Sequence, residues 1–353
     1  MSRLPNKDLA VIFPARYTAA LFLIISVFFS VTVSSEYSVT PQDKSLSDYQ
    51  YPYPVNHFQF KQRGQPLTMA YMDVPPAQGK KPRGTVLLLH GKNFSAAYWQ
   101  DTISQLNQLG YRVVAPDQIG FGKSSKPLTQ YTFQGLSNNT KSLLDKLKIK
   151  KVLVVGHSMG GMLAVRFTLM YPERVEKLAL VNPIGLEDWK RWVPYEPLDK
   201  AIARERKQNP EAIKDYMSKA YFSGQWRDKY NPLLDIQAGW TQGPDADHMA
   251  TVDALTSEMV FTQPVFYEFA DIKVPTLLII GIRDRTAIGR VRASEAVRSK
   301  LGRYDQLGKS AAEKIPHAKL IEMEGVGHLP QFEAFPAYFG ALSKFLEAPV
   351  ENR

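Results

Sequence analysis

The stretch KVLVVGHSMGGMLAVRF, residues 151–167, restricts the fold of this chain more than any other. It begins with a continuous apolar run, Val152–Val155, which predicts a strand buried on both faces. It ends with a mostly apolar segment, which predicts a helix that packs back on that strand. Between them lies a G-x-S-x-G turn, where glycines permit close backbone approach and a strained central position pushes Ser158 outward. Ser158 is therefore our candidate nucleophile.

Strands and helices alternate along most of the chain. Apolar or alternating runs predict strands at 57–62, 67–73, 85–90, 111–116, 152–155, 175–182, 274–281 and 318–323. Helical spacing predicts helices at 98–109, 133–147, from 159 onward, 288–301 and 336–346. The first two strands suggest an antiparallel hairpin, and the later alternation indicates an α/β fold with a mostly parallel central sheet flanked by helices. Ligands of such sheets bind at the carboxyl ends of the strands, where Ser158 lies.

Residues 186–268 interrupt this alternation. They contain several helical stretches, no convincing buried strand, and four of the five tryptophans of the chain. We therefore expect a helical cap inserted after the sixth strand. The α/β core is then formed by residues 57–185 and 269–353.

The first residues of the chain, 1–35, differ in kind from the rest. Three basic residues precede the apolar run 19–33, and small residues follow it. This order is typical of a secretory signal peptide, cleaved around 34–36. The alternative is an uncleaved N-terminal anchor, because about 20 apolar residues span a bilayer and this run falls slightly short. Either interpretation predicts an exported body, periplasmic, secreted or held at a membrane, with residues 36–56 as a linker or extended arm.

Composition excludes several kinds of site. The chain has no cysteine, which excludes disulfides, thiol catalysis and cysteine-ligated metals. Its net charge of +10 is spread along the sequence without an aromatic-interleaved basic motif, which favours a solvated basic surface over a nucleic-acid site. No histidine cluster has the spacing of a metal site. We therefore expect no metal, no cofactor and no nucleic-acid partner.

A serine nucleophile requires a general base, usually histidine, and the chain has only six histidines. Five of them lie in the early hairpin, in turns beside strands, in the expected cap or before the last strand: His57, His90, His157, His248 and His317. His328 instead follows the last predicted strand, in a loop with glycines on its N-terminal side. From there an imidazole can reach across the strand ends to Ser158. His328 is therefore our candidate base.

An acid that orients the histidine completes such a site. Asp284 directly follows the apolar strand 274–281, which puts it at the same edge of the sheet as Ser158. Glu187 and Asp188 are the alternatives, because they follow the preceding strand along the chain. We assign the role to Asp284.

The negative charge that develops on a carbonyl oxygen needs hydrogen-bond donors. The backbone N–H of Met159, at the start of a helix, is one candidate, and the N–H of Lys92 in the loop after the strand 85–90 is the second. Backbone donors are insensitive to the side chain, so the lysine is no objection. We expect the substrate itself to contact His90, Gly91 and Asn93 in that loop and Trp189 in the cap.

With these segments in hand, the chain resembles the cap-bearing Ser-His-Asp branch of the α/β-hydrolase superfamily from about residue 57 to 347. The matching segments, in the family's order, are HGKNFSAAYW, APDQIGFGKSS, VVGHSMGG, LVNPIG, LIIGIRD and GVGHLP. The resemblance implies the order nucleophile, acid, base that Ser158, Asp284 and His328 follow. Haloalkane dehalogenases and epoxide hydrolases carry an aspartate at the nucleophile position, so Ser158 argues against both activities. The resemblance also implies that Asp117 has a structural role.

These observations predict a serine hydrolase that cleaves a small carboxylic ester or lactone through an acyl-enzyme. Cap aromatics, with Met249 and Met259, favour an apolar ester or lactone as substrate, although packing of the cap explains most of the tryptophans. Carbon–carbon bond hydrolysis of a dienol-ketone is one alternative, because it uses the same three residues. A non-catalytic ligand-binding protein on a hydrolase fold is the other. Membrane association through the N-terminal segment is a further expectation.

Overall fold

A computed structural model of the chain describes residues 37–349. Its centre is a sheet of eight strands: β1 (Val55–Gln62), β2 (Gln65–Val74), β3 (Gly84–Leu89), β4 (Tyr111–Pro116), β5 (Val152–His157), β6 (Val175–Val181), β7 (Thr276–Gly281) and β8 (Ala318–Met323). Their spatial order is β1-β2-β4-β3-β5-β6-β7-β8. β2 pairs antiparallel with both β1 and β4, and every other neighbouring pair is parallel. The predicted α/β fold with a mostly parallel sheet is confirmed.

Helices flank this sheet or belong to the connection between β6 and β7: α1 (Gln100–Gln108), α2 (Phe133–Lys146), α3 (Met159–Met170), α4 (Leu198–Glu205), α5 (Pro210–Phe222), α6 (Asp235–Gln242), α7 (Ala246–Thr262), α8 (Glu295–Arg298), α9 (Tyr304–Lys314), α10 (Pro330–Glu333) and α11 (Phe335–Glu347). Each face of the sheet has its own apolar layer. Along β5, Val152 and Val154 belong to one buried cluster, while Leu153 and Val155 belong to the other. This alternation explains why the strand reads as one continuous apolar run.

The predicted helix at 288–301 is wrong. The chain forms a short turn at Arg290–Arg292 and the one-turn helix α8, and the regular helix of this region is α9. Two glycines at positive φ, Gly289 (65°) and Gly302 (66°), bracket the irregular segment and interrupt any helix that would cross them. Apolar spacing alone did not reveal these interruptions.

Residues between β6 and β7 form a helical insertion that contains α4 to α7 and no strand. We use this name for residues 186–268, whose limits stay a prediction from the sequence. Part of the insertion builds a third apolar cluster, with Phe222 and Tyr230 from the insertion against Phe94 and Leu329 from the core. The insertion therefore packs on the carboxyl-end side of the sheet, because Phe94 and Leu329 follow β3 and β8.

The segment 38–54, which we call the N-terminal arm, forms no helix or strand but packs against the body. The backbone N–H of Gln42 donates to the carbonyl of Gly239 at 3.0 Å, and the indole of Trp240 donates to the carbonyl of Asp43 at 3.0 Å. Leu46 is fully buried. The Tyr51 hydroxyl donates to Asp117 in the core at 2.6 Å. The arm thus contacts both the insertion and the core.

The expected signal peptide or anchor at 1–35 lies outside the described residues. Within residues 37–349, the helices are too short or too polar to cross a bilayer.

Candidate active site

The turn between β5 and α3 holds Ser158 in a strained conformation. Its φ is 54° and its ψ is −122°, values that a non-glycine residue rarely adopts. The flanking glycines are required sterically, because a Cβ on Gly156 would lie 2.3 Å from the carbonyl oxygen of Gly160. A Cβ on Gly160 would lie 2.1 Å from the carbonyl oxygen of Leu89. The close contact of β5, α3 and β3 therefore fixes where the serine hydroxyl points.

The structure brings three of the candidate residues together. His328 Nε2 lies 3.0 Å from Ser158 Oγ, and His328 Nδ1 lies 2.5 Å from Asp284 Oδ2. Asp284 and His328 are fully buried, and Ser158 is 6% exposed. The three side chains form one hydrogen-bonded line at the carboxyl ends of β5, β7 and β8. This arrangement can move a proton from a serine hydroxyl to an imidazole.

The Asp284 carboxylate is itself held in place. Its Oδ1 accepts the backbone N–H of Thr286 at 2.7 Å, and its Oδ2 accepts the Asn182 side-chain amide at 3.0 Å. Asn182 in turn accepts the backbone N–H of Gly281 at the end of β7, at 2.8 Å. Fixed donors on both oxygens orient the carboxylate toward the imidazole of His328.

The two alternative acids are bonded elsewhere. Glu187 accepts the backbone N–H of Gly302 at 3.0 Å, and burial raises the pKa of its carboxyl to about 7. Asp188 accepts the hydroxyl of Tyr267 at 2.6 Å. Of the three acids considered from the sequence, only Asp284 contacts His328.

Two further side chains support His328, and sequence patterns did not identify either. His157 Nε2 lies 2.9 Å from the His328 carbonyl oxygen and its Nδ1 lies 2.9 Å from the Tyr98 hydroxyl, so Nε2 carries the proton. Burial lowers the pKa of His157 well below its usual value, which keeps this ring neutral. The ring of Tyr221, from α5 of the insertion, stacks on the His328 imidazole with centroids 4.5 Å apart. The insertion therefore touches the candidate base directly.

The two candidate oxyanion donors are free to bind a ligand. Within the described part of the chain, neither the Met159 nor the Lys92 backbone N–H donates a hydrogen bond to a protein group. The Gly91 N–H, by contrast, donates to the Tyr98 hydroxyl at 3.0 Å. A Cβ on Gly91 would lie 3.0 Å from Ser158 Cβ, so the absence of a side chain lets this loop approach the serine.

The other residues expected to contact substrate have different positions. His90 is fully buried, and its Nε2 accepts the Gln118 backbone N–H at 3.0 Å. Trp189 is also buried and donates to the carbonyl of Phe261 at 3.0 Å, a contact within the insertion. Asn93, in contrast, lines a cavity. Only Asn93 of these three is therefore placed to meet a ligand in that cavity.

This cavity has a volume of about 300 Å³ and lies mainly within the insertion. Its apolar wall includes Trp240, Met249 and Phe121. Its polar wall includes Glu205 and Asp253, which apolar patterning of the sequence did not reveal. Met259, also expected at a pocket, is buried outside this lining. The cavity is thus mixed in polarity rather than simply apolar.

Asp117 holds the loop after β4. Its Oδ1 accepts the Ala96 N–H at 2.7 Å, and its Oδ2 accepts the Lys123 N–H at 2.7 Å and the Tyr51 hydroxyl. Over residues 37–349, no group of three histidine, aspartate or glutamate side chains is arranged to hold a metal ion.

The sheet order, the strained serine turn and the buried hydrogen-bonded line define a class of protein. The family model described as alpha/beta hydrolase fold matches residues 84–335. The chain therefore belongs to the α/β-hydrolase family.

Individual relatives are similar to different extents. A crystal structure of a probable hydrolytic enzyme from Pseudomonas aeruginosa PAO1 is 46% identical, with a TM-score of 0.86, over 88% of this chain and 99% of that one. Lipase 1 of Psychrobacter immobilis is 29% identical over 76% of this chain and 79% of the lipase. An uncharacterized protein of Mycobacterium tuberculosis is 37% identical, but the match spans only 29% of each chain.

Proposed function

We propose that this α/β hydrolase is a serine hydrolase that cleaves a carboxylic ester or lactone through an acyl-enzyme. The observation that carries the proposal is the hydrogen-bonded line from Asp284 through His328 to Ser158. Two N–H groups without a protein acceptor within residues 37–349, on Met159 and Lys92, lie at the Ser158 end of this line, one in the serine turn and one in the loop after β3 that approaches it. A nucleophile, a base, an orienting acid and two donors are the parts that acyl transfer requires.

The first step forms a bond between Ser158 Oγ and the substrate carbonyl carbon, while His328 Nε2 takes the hydroxyl proton. The negative charge then resides on the former carbonyl oxygen, which the Met159 and Lys92 N–H groups bind. The positive end of α3 points at the same position. Asp284 stabilises the imidazolium without taking its proton.

The second step breaks the bond to the leaving group, which receives the proton from His328. A water molecule then gives its proton to His328 and attacks the acyl carbon, and Ser158 leaves with that proton. The products are a carboxylic acid and an alcohol, or a hydroxy acid from a lactone. The similarity to a lipase supports an ester as substrate over a carbon–carbon bond.

A fluorophosphonate probe tests the nucleophile, because it modifies only an activated serine. One sample each of the full chain and its Ser158→Ala variant is incubated with the probe, and a separate sample of each, without probe, is assayed on p-nitrophenyl esters, lactones and dienol-ketones. We expect labelling and ester or lactone turnover in the parent alone. Turnover of the dienol-ketone alone would instead identify a carbon–carbon hydrolase.

A parent that is folded but unlabelled, even by a small methylphosphonate, would contradict the proposed nucleophile. Ligand binding without turnover, at ligand concentrations far above the dissociation constant, would then favour the ligand-binding alternative. Circular dichroism of both proteins provides the control for folding.

We further propose that the body acts outside the cytoplasm on a small-molecule substrate. The support is the charged, apolar and small-residue order of residues 1–35. Cell fractionation locates the protein, and mass spectrometry of its N-terminus separates cleavage near residue 35 from an intact membrane anchor. Recovery of the intact chain in the cytoplasm would contradict this proposal.

A further inference from the structure

The loop that carries the Lys92 N–H is held by a carboxylate of the insertion. Asp253 on α7 forms an ion pair with the Lys92 ammonium through Oδ1, and its Oδ2 accepts the Asn93 side-chain amide at 2.9 Å. One side chain therefore binds two consecutive residues of a loop that is 160 positions away in the sequence.

The loop needs such support because its conformation is unfavourable by itself. Asn93 has a φ of 65°, in the left-handed region that non-glycine residues visit less readily. The Lys92 and Asp253 side chains are only 18% and 17% exposed, so water competes weakly for their contact. Helix α7 is a 17-residue helix, which gives the carboxylate a rigid base. The contact thus fixes the side chains of both residues that follow Gly91.

Asp253 also has an acidic neighbour. Glu205 on α4 lines the same cavity and pairs with Arg204. Burial and the Asp253 charge raise the pKa of Glu205 to about 7. The Lys92 ammonium therefore stabilises an acid pair that burial alone would disfavour.

We propose that Asp253 is a positioning residue that holds the Lys92 backbone N–H in place as an oxyanion donor, and so couples the helical insertion to the chemistry at Ser158. The inference rests on the proposed function, because it gives the Lys92 N–H a role only in acyl transfer. The hydrogen-bond donors stabilise the developing charge only when they are accurately placed. A small shift of this loop therefore reduces stabilisation of the transition state more than it reduces substrate affinity.

The variant Asp253→Asn tests the coupling in the full chain. Asparagine retains one acceptor oxygen and nearly the same shape, but it loses the charge and cannot accept from both partners. We expect kcat for p-nitrophenyl butyrate to fall by about 10- to 100-fold with KM changed less than about 3-fold, a fraction of the loss caused by deleting a donor. A lost structural contact alone would lower the melting temperature and leave kcat of the folded protein intact.

Glu258→Gln is the matched control. Glu258 lies on the same helix, is partly buried and accepts the Tyr195 hydroxyl at 2.6 Å, but it neither lines the cavity nor contacts the loop at 91–95. The control removes the same charge from the same helix, and we expect parental kcat from it. Equal losses of kcat in both variants would overturn the inference, because the charge of the helix would then explain them.

Lys92→Met provides a second route in case Asp253→Asn folds poorly. It removes the ammonium but keeps the backbone donor and most of the side chain. We expect its loss of kcat to match that of Asp253→Asn, and the double variant to lose no more than either single variant. Additive losses, or parental kcat in Lys92→Met, would overturn the inference.

Failure of the inference is distinguishable from failure of the proposed function. If the parent is labelled by the fluorophosphonate and hydrolyses the ester, while Asp253→Asn has parental kcat, only the positioning role is refuted. If the folded parent is neither labelled nor active, the proposed function and this inference are refuted together.

Discussion

The sheet edge around Ser158 and the helical insertion above it are stabilised in different ways. At the sheet edge, backbone passes so close to backbone that glycine is obligatory at positions 156 and 160. In the insertion, side chains reach across to other segments, as Asp253 does to Lys92 and Trp240 to the N-terminal arm. The first region is determined by close backbone packing and the second by side-chain pairing. We therefore expect the two regions to respond differently to substitution.

The largest effect is expected at the acid of the sheet edge. Asp284→Asn retains the shape but cannot stabilise the imidazolium, so kcat should fall by about 10⁴-fold, as for other Ser-His-Asp sites. Glu187→Gln and Asp188→Asn should keep most of the activity, because neither side chain contacts His328. Steady-state hydrolysis of a p-nitrophenyl ester measures all three. An active Asp284→Asn variant, with loss of activity in either of the others, would reassign the acid.

Gly160→Ala tests directly whether close backbone packing stabilises the turn at Ser158. The added Cβ meets the Leu89 carbonyl, and backbone on both sides must move, which should lower the free energy of unfolding by about 3 kcal/mol. Gly340→Ala in α11 is the control, because a Cβ there has no heavy atom within 4 Å. It should be neutral or stabilise by about 0.5–1 kcal/mol. Urea denaturation measures both, and equal effects would show that close packing at the turn is unimportant.

Glu187, near the start of the insertion, links stability to pH. Its folded pKa of about 7 exceeds the ordinary 4.5, so folding favours the protonated form. Its stabilising contribution is complete below pH 4.5 and is lost as the pH rises through 7. Glu187→Gln, which stays neutral, should therefore raise the free energy of unfolding by about 1–2 kcal/mol at pH 8.5 and by little at pH 4.5. Denaturation at both pH values tests the sign, and the same difference at both would contradict it.

The smallest effect is expected on the outer surface of the insertion. Asp215 and Lys219 on α5 form an ion pair, but both side chains are more than half exposed. Asp215→Ala should change the free energy of unfolding by less than about 0.5 kcal/mol, since exposed pairs of this kind contribute little. Thermal unfolding at low and high salt measures this. A loss as large as that of Gly160→Ala would contradict the distinction between the regions.

The sequence predicted the sheet well, because each strand has a local signature. All eight predicted strands are present, and most differ by only a few residues from their observed bounds. Among the helices outside the insertion, α9 was not predicted, and its central Gly308 has a low helix propensity. That glycine instead allows α9 to approach Ile280 and Leu320 closely. At this position, close packing against the sheet outweighs the low helix propensity of glycine.

The candidate site was predictable only in part, because only some of its residues have a local signature in the sequence. Ser158, Asp284 and His328 each follow a strand, so the fold alone predicts that they lie at one edge of the sheet. Tyr221 and Asp253 have no such marker, since each reaches the site from a helix whose orientation the sequence does not encode locally. Their contacts became evident only when the insertion and the core were seen together.

The N-terminal arm has a consequence for the order in which the chain can fold. Its contact between Asp43 and Trp240 joins residues 197 positions apart. During synthesis the arm emerges long before α6, which it contacts. The part of the arm around Asp43 must therefore stay undocked until most of the chain exists, and closing so long a loop makes its docking a late and slow event. A segment made early is thus among the last to reach its native place.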